Sequence, residues 1–129
     1  MTDKLCKIAI EQLSFSYSPY SSCQVGAALL SESGRVYTGC NIENASFGAA
    51  NCAERTAFFK AISEGETQFA AIAIAAKKDG VLCEFLPCGI CRQVMAEFCD
   101  GSFKIFTVKS ENRFGEYTLE QLLPNSFNL

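Results

Sequence analysis

Phe69-Ala70-Ala71-Ile72-Ala73-Ile74-Ala75-Ala76 is the longest apolar run in the chain, and its reading decides the fold. Its alanines would also suit a helix, but a short run apolar on both faces matches a strand in a sheet covered on each side. Before it, Ala53, Ala57, Phe58, Ala61 and Ile62 share one helical face in a segment that opens at Cys52, and Gly65 stands where a helix closes. After it, Lys77 to Leu86 reads as a loop, and Pro87 precedes a second helix expected over Cys88 to Cys99, stopped by Asp100-Gly101. Lys104 to Val108 reads as the next strand, and Thr118 and Gln121 have capping-box spacing for a short helix ended by Pro124.

Working towards the N-terminus, Val25 to Leu30 and Arg35 to Cys40 flank Ser31-Glu32-Ser33-Gly34 and predict a hairpin. Asn44 to Asn51 and Ser14 to Ser22 read as loops, and Leu5, Ile8, Ala9 and Leu13 form one helical face. Strands alternating with helices in one sheet need right-handed crossovers, so the expected fold is α/β, a three-layer α/β/α sandwich formed by a single domain over residues 1–129. The first hairpin strand would run antiparallel to the others. Ligands in such sheets bind beyond the strand carboxyl ends, where the next helices begin. Both of those helices begin with cysteine.

Composition removes several function classes. The longest apolar run is far below the ~20 residues that span a bilayer, which argues against a membrane protein. Eleven Lys plus Arg against fourteen Asp plus Glu, a net charge of −3 and no basic block argue against a nucleic-acid partner. There is no histidine. Catalytic triads, Cys-His pairs and HExxH zinc sites are thereby excluded, and acid–base work falls to a carboxylate, a lysine, a tyrosine or a metal-bound water. The N-terminal Met1-Thr-Asp-Lys-Leu-Cys-Lys lacks the apolar core of a signal peptide, so a cytoplasmic location is expected. In that reducing setting, eight cysteines point to metal or catalysis ahead of disulfides.

Two stretches carry the chemistry: Asn51-Cys52-Ala53-Glu54-Arg55 and Pro87-Cys88-Gly89-Ile90-Cys91-Arg92. Cys88 and Cys91 stand at i and i+3 on a helix start, so both sulfurs face one side. Cys52 can supply a third sulfur, and three protein ligands leave a tetrahedral zinc one open position, the catalytic arrangement. Glu54 would point away from Cys52 in a helix interior; the two converge only if Cys52 sits at the helix edge. Arg55, three residues on, can donate to a thiolate and offset the charge of three sulfurs on one dication. A lone CxxC also marks redox and structural-metal sites, and a structural zinc in a non-enzymatic interaction module would need a fourth ligand from Cys83 or Cys99. Cys6, Cys40, Cys83 and Cys99 are otherwise read as free cysteines.

Joined as Cys-x-Glu followed by Pro-Cys-x-x-Cys, these stretches match the zinc deaminases that act on nucleobases. The chain resembles the small, three-cysteine, homotetrameric cytidine deaminases. The likeness also rests on Tyr17-Ser18-Pro19-Tyr20-Ser21, Val25-Gly26-Ala27-Ala28-Leu29, Gly39-Cys40-Asn41-Ile42-Glu43-Asn44-Ala45 and Leu122-Leu123-Pro124. It implies a mixed five-stranded sheet and hydrolytic deamination of cytidine and deoxycytidine to uridine and deoxyuridine with release of ammonia, a step of pyrimidine salvage. It implies that Cys52, Cys88 and Cys91 bind Zn2+ and that Glu54 shuttles protons. Asn41 and Glu43 match a ribose-binding pair, and backbone near Ala53 and Cys88 would orient the base. Phe47 and Phe127 match positions used across subunits, so the active sites of the homotetramer would be composite. Two departures stand out: Cys23 replaces the usual Phe, and Phe47 stands where relatives often have Tyr. A blasticidin-S deaminase shares the zinc stretches but departs from the Asn-Ile-Glu-Asn segment, which this chain retains.

Overall fold

The computed structural model describes residues 1–129. The chain runs α1 (Thr2–Glu11), a 3-10 turn (Gln12–Phe15), β1 (Cys23–Ser31), β2 (Val36–Cys40), a second 3-10 turn (Phe47–Ala49), α2 (Ala53–Ser63) and β3 (Phe69–Lys78). It continues with β4 (Val81–Cys83), α3 (Gly89–Phe98), β5 (Lys104–Ser110), β6 (Arg113–Thr118) and α4 (Leu119–Leu122). The sheet order is β2-β1-β3-β5-β6, with β4 paired to β3 off that path. It therefore has six strands rather than five. β3 and β5 are parallel, while β1–β2, β1–β3, β3–β4 and β5–β6 are antiparallel.

The apolar run beginning at Phe69 is the central strand, and its two faces differ. Ile72 and Ile74 join Ala27, Leu29 and Ile105 in a core with Ala57, Phe58, Met95 and Leu119 of α2, α3 and α4. Phe58 packs edge-on against Phe69, 5.0 Å between ring centroids. The opposite face presents Ala71, Ala73 and Ala75 to Leu5, Cys6, Ala9 and Leu13. Alternation along one strand thus sets both faces, and α1 lies against the side of small residues. This is the expected three-layer sandwich.

Two glycines let the helices approach the sheet. A Cβ on Gly26 would run into the Ala9 carbonyl oxygen of α1, and one on Gly39 would meet the Ala53 carbonyl oxygen and come within 2.6 Å of the Ala57 amide nitrogen of α2. Gly39 thereby seats the first turn of α2, which carries Glu54 and Arg55.

Two expectations are corrected. Lys77 to Leu86 is not all loop: β3 extends to Lys78 and turns through Asp79 (φ 51°) and Gly80 (φ 80°) into β4. That Asp-Gly pair is a hairpin signal, since both central turn positions need positive φ. Strand β6 was also not expected; its alternating Phe114, Gly115, Glu116 and Tyr117 pair antiparallel with β5, so that β6 joins β1 and β4 in running opposite to β3 and β5. The capping box holds, with Gln121 N–H donating to Thr118 Oγ1 and Thr118 N–H donating to Gln121 Oε1.

Candidate active site

Cys52 and Cys88 are the N-cap residues of α2 and α3, both with extended backbone, at ψ 155° and 168°. Neither is inside its helix, which resolves the convergence problem of the Cys-x-Glu spacing. From the edge, the Cys52 sulfur turns back towards the cavity while Glu54 sits in the first turn behind it. The Cys52 and Cys88 sulfurs lie 3.7 Å apart, and those of Cys52, Cys88 and Cys91 all lie within 4.8 Å of one another. Two thiolates each 2.3 Å from a tetrahedral zinc would stand about 3.8 Å apart, so the donor set and its spacing both fit Zn2+. The Cys91 amide also donates to the Cys88 sulfur at 3.5 Å.

The electrostatics suit a shared metal. A hydrogen bond from Cys91, with further donation from Arg55 and Cys88, holds the Cys52 thiol well below its ordinary pKa. The same contact holds Cys91 above its own. Arg55 Nη2 donates to Cys52 Sγ at 3.2 Å, as the i, i+3 spacing predicted. Glu54 is 4% exposed, and burial pushes its carboxyl up to about 7, where both protonation states are accessible at neutral pH.

Cys52, Glu54, Arg55 and Cys88 floor a cavity of about 510 Å³, walled by Cys23, Ile74, Phe85 and Leu86 and reaching Asn41, Glu43 and Phe47. Ala53 lines the same floor. Asn41 and Glu43 lie just past the end of β2 rather than within it, on a segment tied down by Ile42 to Asn51 backbone pairing. Asn41 Nδ2 donates to the Cys23 carbonyl at 2.8 Å, and its Oδ1 accepts from the Val25 amide at 2.9 Å and from the Ser16 hydroxyl. Glu43 accepts from the Tyr20 and Ser21 amides at 2.9 and 3.1 Å and from the Ser21 hydroxyl at 2.5 Å. Chiefly through that hydroxyl, its carboxyl is held below the usual range. Their part in anchoring the Tyr17–Ser21 loop was not legible from spacing alone.

Phe47 is 76% exposed at the rim, its ring edge-on to Tyr20 at 5.9 Å. Phe127 is not part of this cavity. It is 65% exposed, with its carbonyl accepting from Gln93 Nε2 of α3 at 3.2 Å. Phe85 and Leu86 were missed as pocket walls; their place directly before Pro87-Cys88 was the available signal. Cys83 and Cys99 lie outside the sulfur cluster, so no fourth protein sulfur closes it.

A sequence model described as "Cytidine and deoxycytidylate deaminase zinc-binding region" matches residues 1–107. The chain belongs to the cytidine deaminase family. It is 50% identical over 113 residues to a cytidine deaminase of Sporosarcina psychrophila, covering 88% of this chain and 81% of that protein. It is 49% identical over 123 residues to one of Halalkalibacterium halodurans, covering 95% and 91%. In structure it superposes on a cytidine deaminase from Burkholderia pseudomallei with a TM-score of 0.89 at 38% identity, over 98% of this chain and 99% of that one. A Mycobacterium tuberculosis cytidine deaminase gives 0.83 at 36% identity, over 99% and 98%. The cofactor of this deaminase region is Zn2+, and the three-cysteine cluster of this family member fits it.

Proposed function

We propose that the chain hydrolyses cytidine and deoxycytidine to uridine and deoxyuridine with release of ammonia, in pyrimidine salvage, using Zn2+ held by Cys52, Cys88 and Cys91. The observation that carries this reading is Glu54, a buried carboxyl poised near neutrality on the floor of a nucleoside-sized cavity beside three convergent sulfurs. Zinc in such a site makes bound water acidic enough to serve as a nucleophile at neutral pH. Glu54 takes a proton from the attacking water and passes it to N3 of the base as the C4–O bond forms; it then takes the remaining proton from the new C4 hydroxyl and gives it to N4, so that the C4–N4 bond breaks, ammonia leaves and the C4 carbonyl forms. Arg55 withdraws charge from Cys52 through its hydrogen bond.

Backbone at Ala53 and Cys88 orients the pyrimidine. Asn41 and Glu43 hold the ribose, and the Glu43 carboxylate disfavours a 5′-phosphate, which selects nucleoside over nucleotide. Phe47 and Phe127 support a homotetramer with composite sites: both rings are exposed here, and Phe127 is pinned to α3 away from its own cavity. Burying such a ring contributes about 1.5–3 kcal/mol, which a neighbouring subunit would supply. No helix is long and apolar enough to cross a membrane, and a cytoplasmic location accords with the free thiols.

The deciding experiment is a spectrophotometric assay with cytidine, deoxycytidine, deoxycytidylate and blasticidin S, run beside a zinc determination. Turnover of both nucleosides with about one zinc per chain is expected from a single three-ligand site. Turnover of blasticidin S alone, or of deoxycytidylate in preference, would overturn the substrate assignment.

A further inference from the structure

The segment between β4 and α3 is held by a contact that the deamination chemistry does not use. Glu84 Oε2 accepts a hydrogen bond from Thr107 Oγ1 of β5 at 2.5 Å and lies 3.4 Å from Tyr117 Oη of β6. A slot is built for it. A Cβ on Gly115 would stand 2.7 Å from Glu84 Oε2 and 2.8 Å from Thr107 Oγ1, so any other residue there would push the carboxylate off its partner. Thr107 is fully buried, one of three buried polar or charged residues in the chain, and its hydroxyl needs a partner.

The position of this contact matters. Thr107 pairs directly with Ile74 in the parallel β3–β5 ladder, and Ile74 lines the cavity. Immediately after Glu84 come Phe85 and Leu86, which wall the cavity, then Pro87 and Cys88. From Cys83, the last residue of β4, to Cys88 the chain has no regular element, and Glu84 is where its side chains grip the sheet.

We infer that Glu84 is a positioning residue: by docking on Thr107 in the Gly115 slot it fixes the Phe85–Leu86 wall against which the pyrimidine lies. The inference rests on the cavity being the nucleoside site, as proposed above. Glu84 lines neither the cavity nor the sulfur cluster. It acts through the placement of the wall, so its loss weakens binding more than turnover.

The test compares Glu84→Ala, Glu84→Gln, Thr107→Val and the double variant Glu84→Ala/Thr107→Val as zinc-loaded proteins. Cytidine kinetics, zinc content and amide exchange over residues 84–88 are measured on each. Glu84→Ala is expected to raise KM about tenfold, a usual size for one coupled contact, with kcat and zinc content near wild type and faster exchange over 84–88. Glu84→Gln keeps an acceptor oxygen for Thr107 and is expected to restore KM to near wild type. Thr107→Val, nearly isosteric, should reproduce the KM effect, and the double variant should be no worse than either single one. A KM unchanged in Glu84→Ala, failure of Glu84→Gln to restore it, or additive effects in the double variant would overturn the inference. A wild-type protein inert towards cytidine would overturn the substrate reading instead. Exchange over 84–88 would then decide alone, acceleration supporting the clamp and no change refuting it.

Discussion

The Arg55 guanidinium and the Cys52 sulfur are joined across the first turn of α2 by a 3.2 Å hydrogen bond, while Arg55 Nε is buried without a partner. An arginine held so close to a thiolate serves charge before it serves packing. In the proposed zinc site, three thiolates on a dication would leave a net negative centre, which Arg55 would offset. Arg55→Ala is therefore expected to lower activity by at least about tenfold, the loss usual for a group that tunes a metal ligand, and to move the acid limb of the pH–rate profile to higher pH. An unchanged profile at unchanged zinc content would reject the role.

Glu54→Gln should keep the zinc and still bind nucleoside, because the sulfurs are untouched. Turnover should fall by at least about 10²–10⁴-fold, since one carboxyl serves several proton transfers. Zinc analysis and nucleoside binding by calorimetry separate this from unfolding. Activity within about threefold of wild type would remove Glu54 from the chemistry.

Gly39→Ala should damage both stability and metal retention. The added methyl meets backbone atoms of Ala53 and Ala57, which no rotamer change can move, so α2 must lift from the sheet. Overpacking of this kind costs about 1–3 kcal/mol, visible as a lower Tm with weaker zinc binding. Gly48→Ala, with nothing within 4 Å of its Cβ, serves as the tolerated control.

Cys6 lies on the buried face of α1, where burial and then the Asp3 charge push its thiol from 9.0 up to about 11. The folded chain holds this proton more tightly than the unfolded one. Its contribution is thus complete below pH 9.0 and is lost as pH rises towards 11. Cys6→Ala should flatten that part of the stability curve, measured by thermal denaturation at stepped alkaline pH.

Deleting residues 126–129 removes Phe127, whose ring is exposed and does not line its own cavity. The expected result is a raised KM with zinc content and Tm nearly unchanged. A fully active monomer by sedimentation would refute the composite site.

Much of this was legible in the sequence, for identifiable reasons. The alternating Ile and Ala of β3 and the Ala53-Ala57-Phe58-Ala61 face of α2 state their burial in their periods, and the cysteines state the metal centre by spacing. What escaped depended on partners distant in sequence. β6 is half-polar and gains its pairing from β5, and β4 hid behind a lysine-rich turn despite Asp79-Gly80. Asn41 and Glu43 match a ribose-binding pair in sequence, yet most of their hydrogen bonds go to the Tyr17–Val25 segment. Nothing in a two-residue spacing shows that debt.

The sulfurs of Cys52 and Cys88 sit on helix edges 36 positions apart in the chain. With the proposed ligand set, one ion would tie that span into a closed ring. By the chain-entropy argument, a permanent tie over such a length takes about 4 kcal/mol of freedom from the unfolded chain. A protein whose eight cysteines form no disulfide would then draw part of its stability from a reversible staple, and a chelator would lower its melting point as reduction does in a secreted domain.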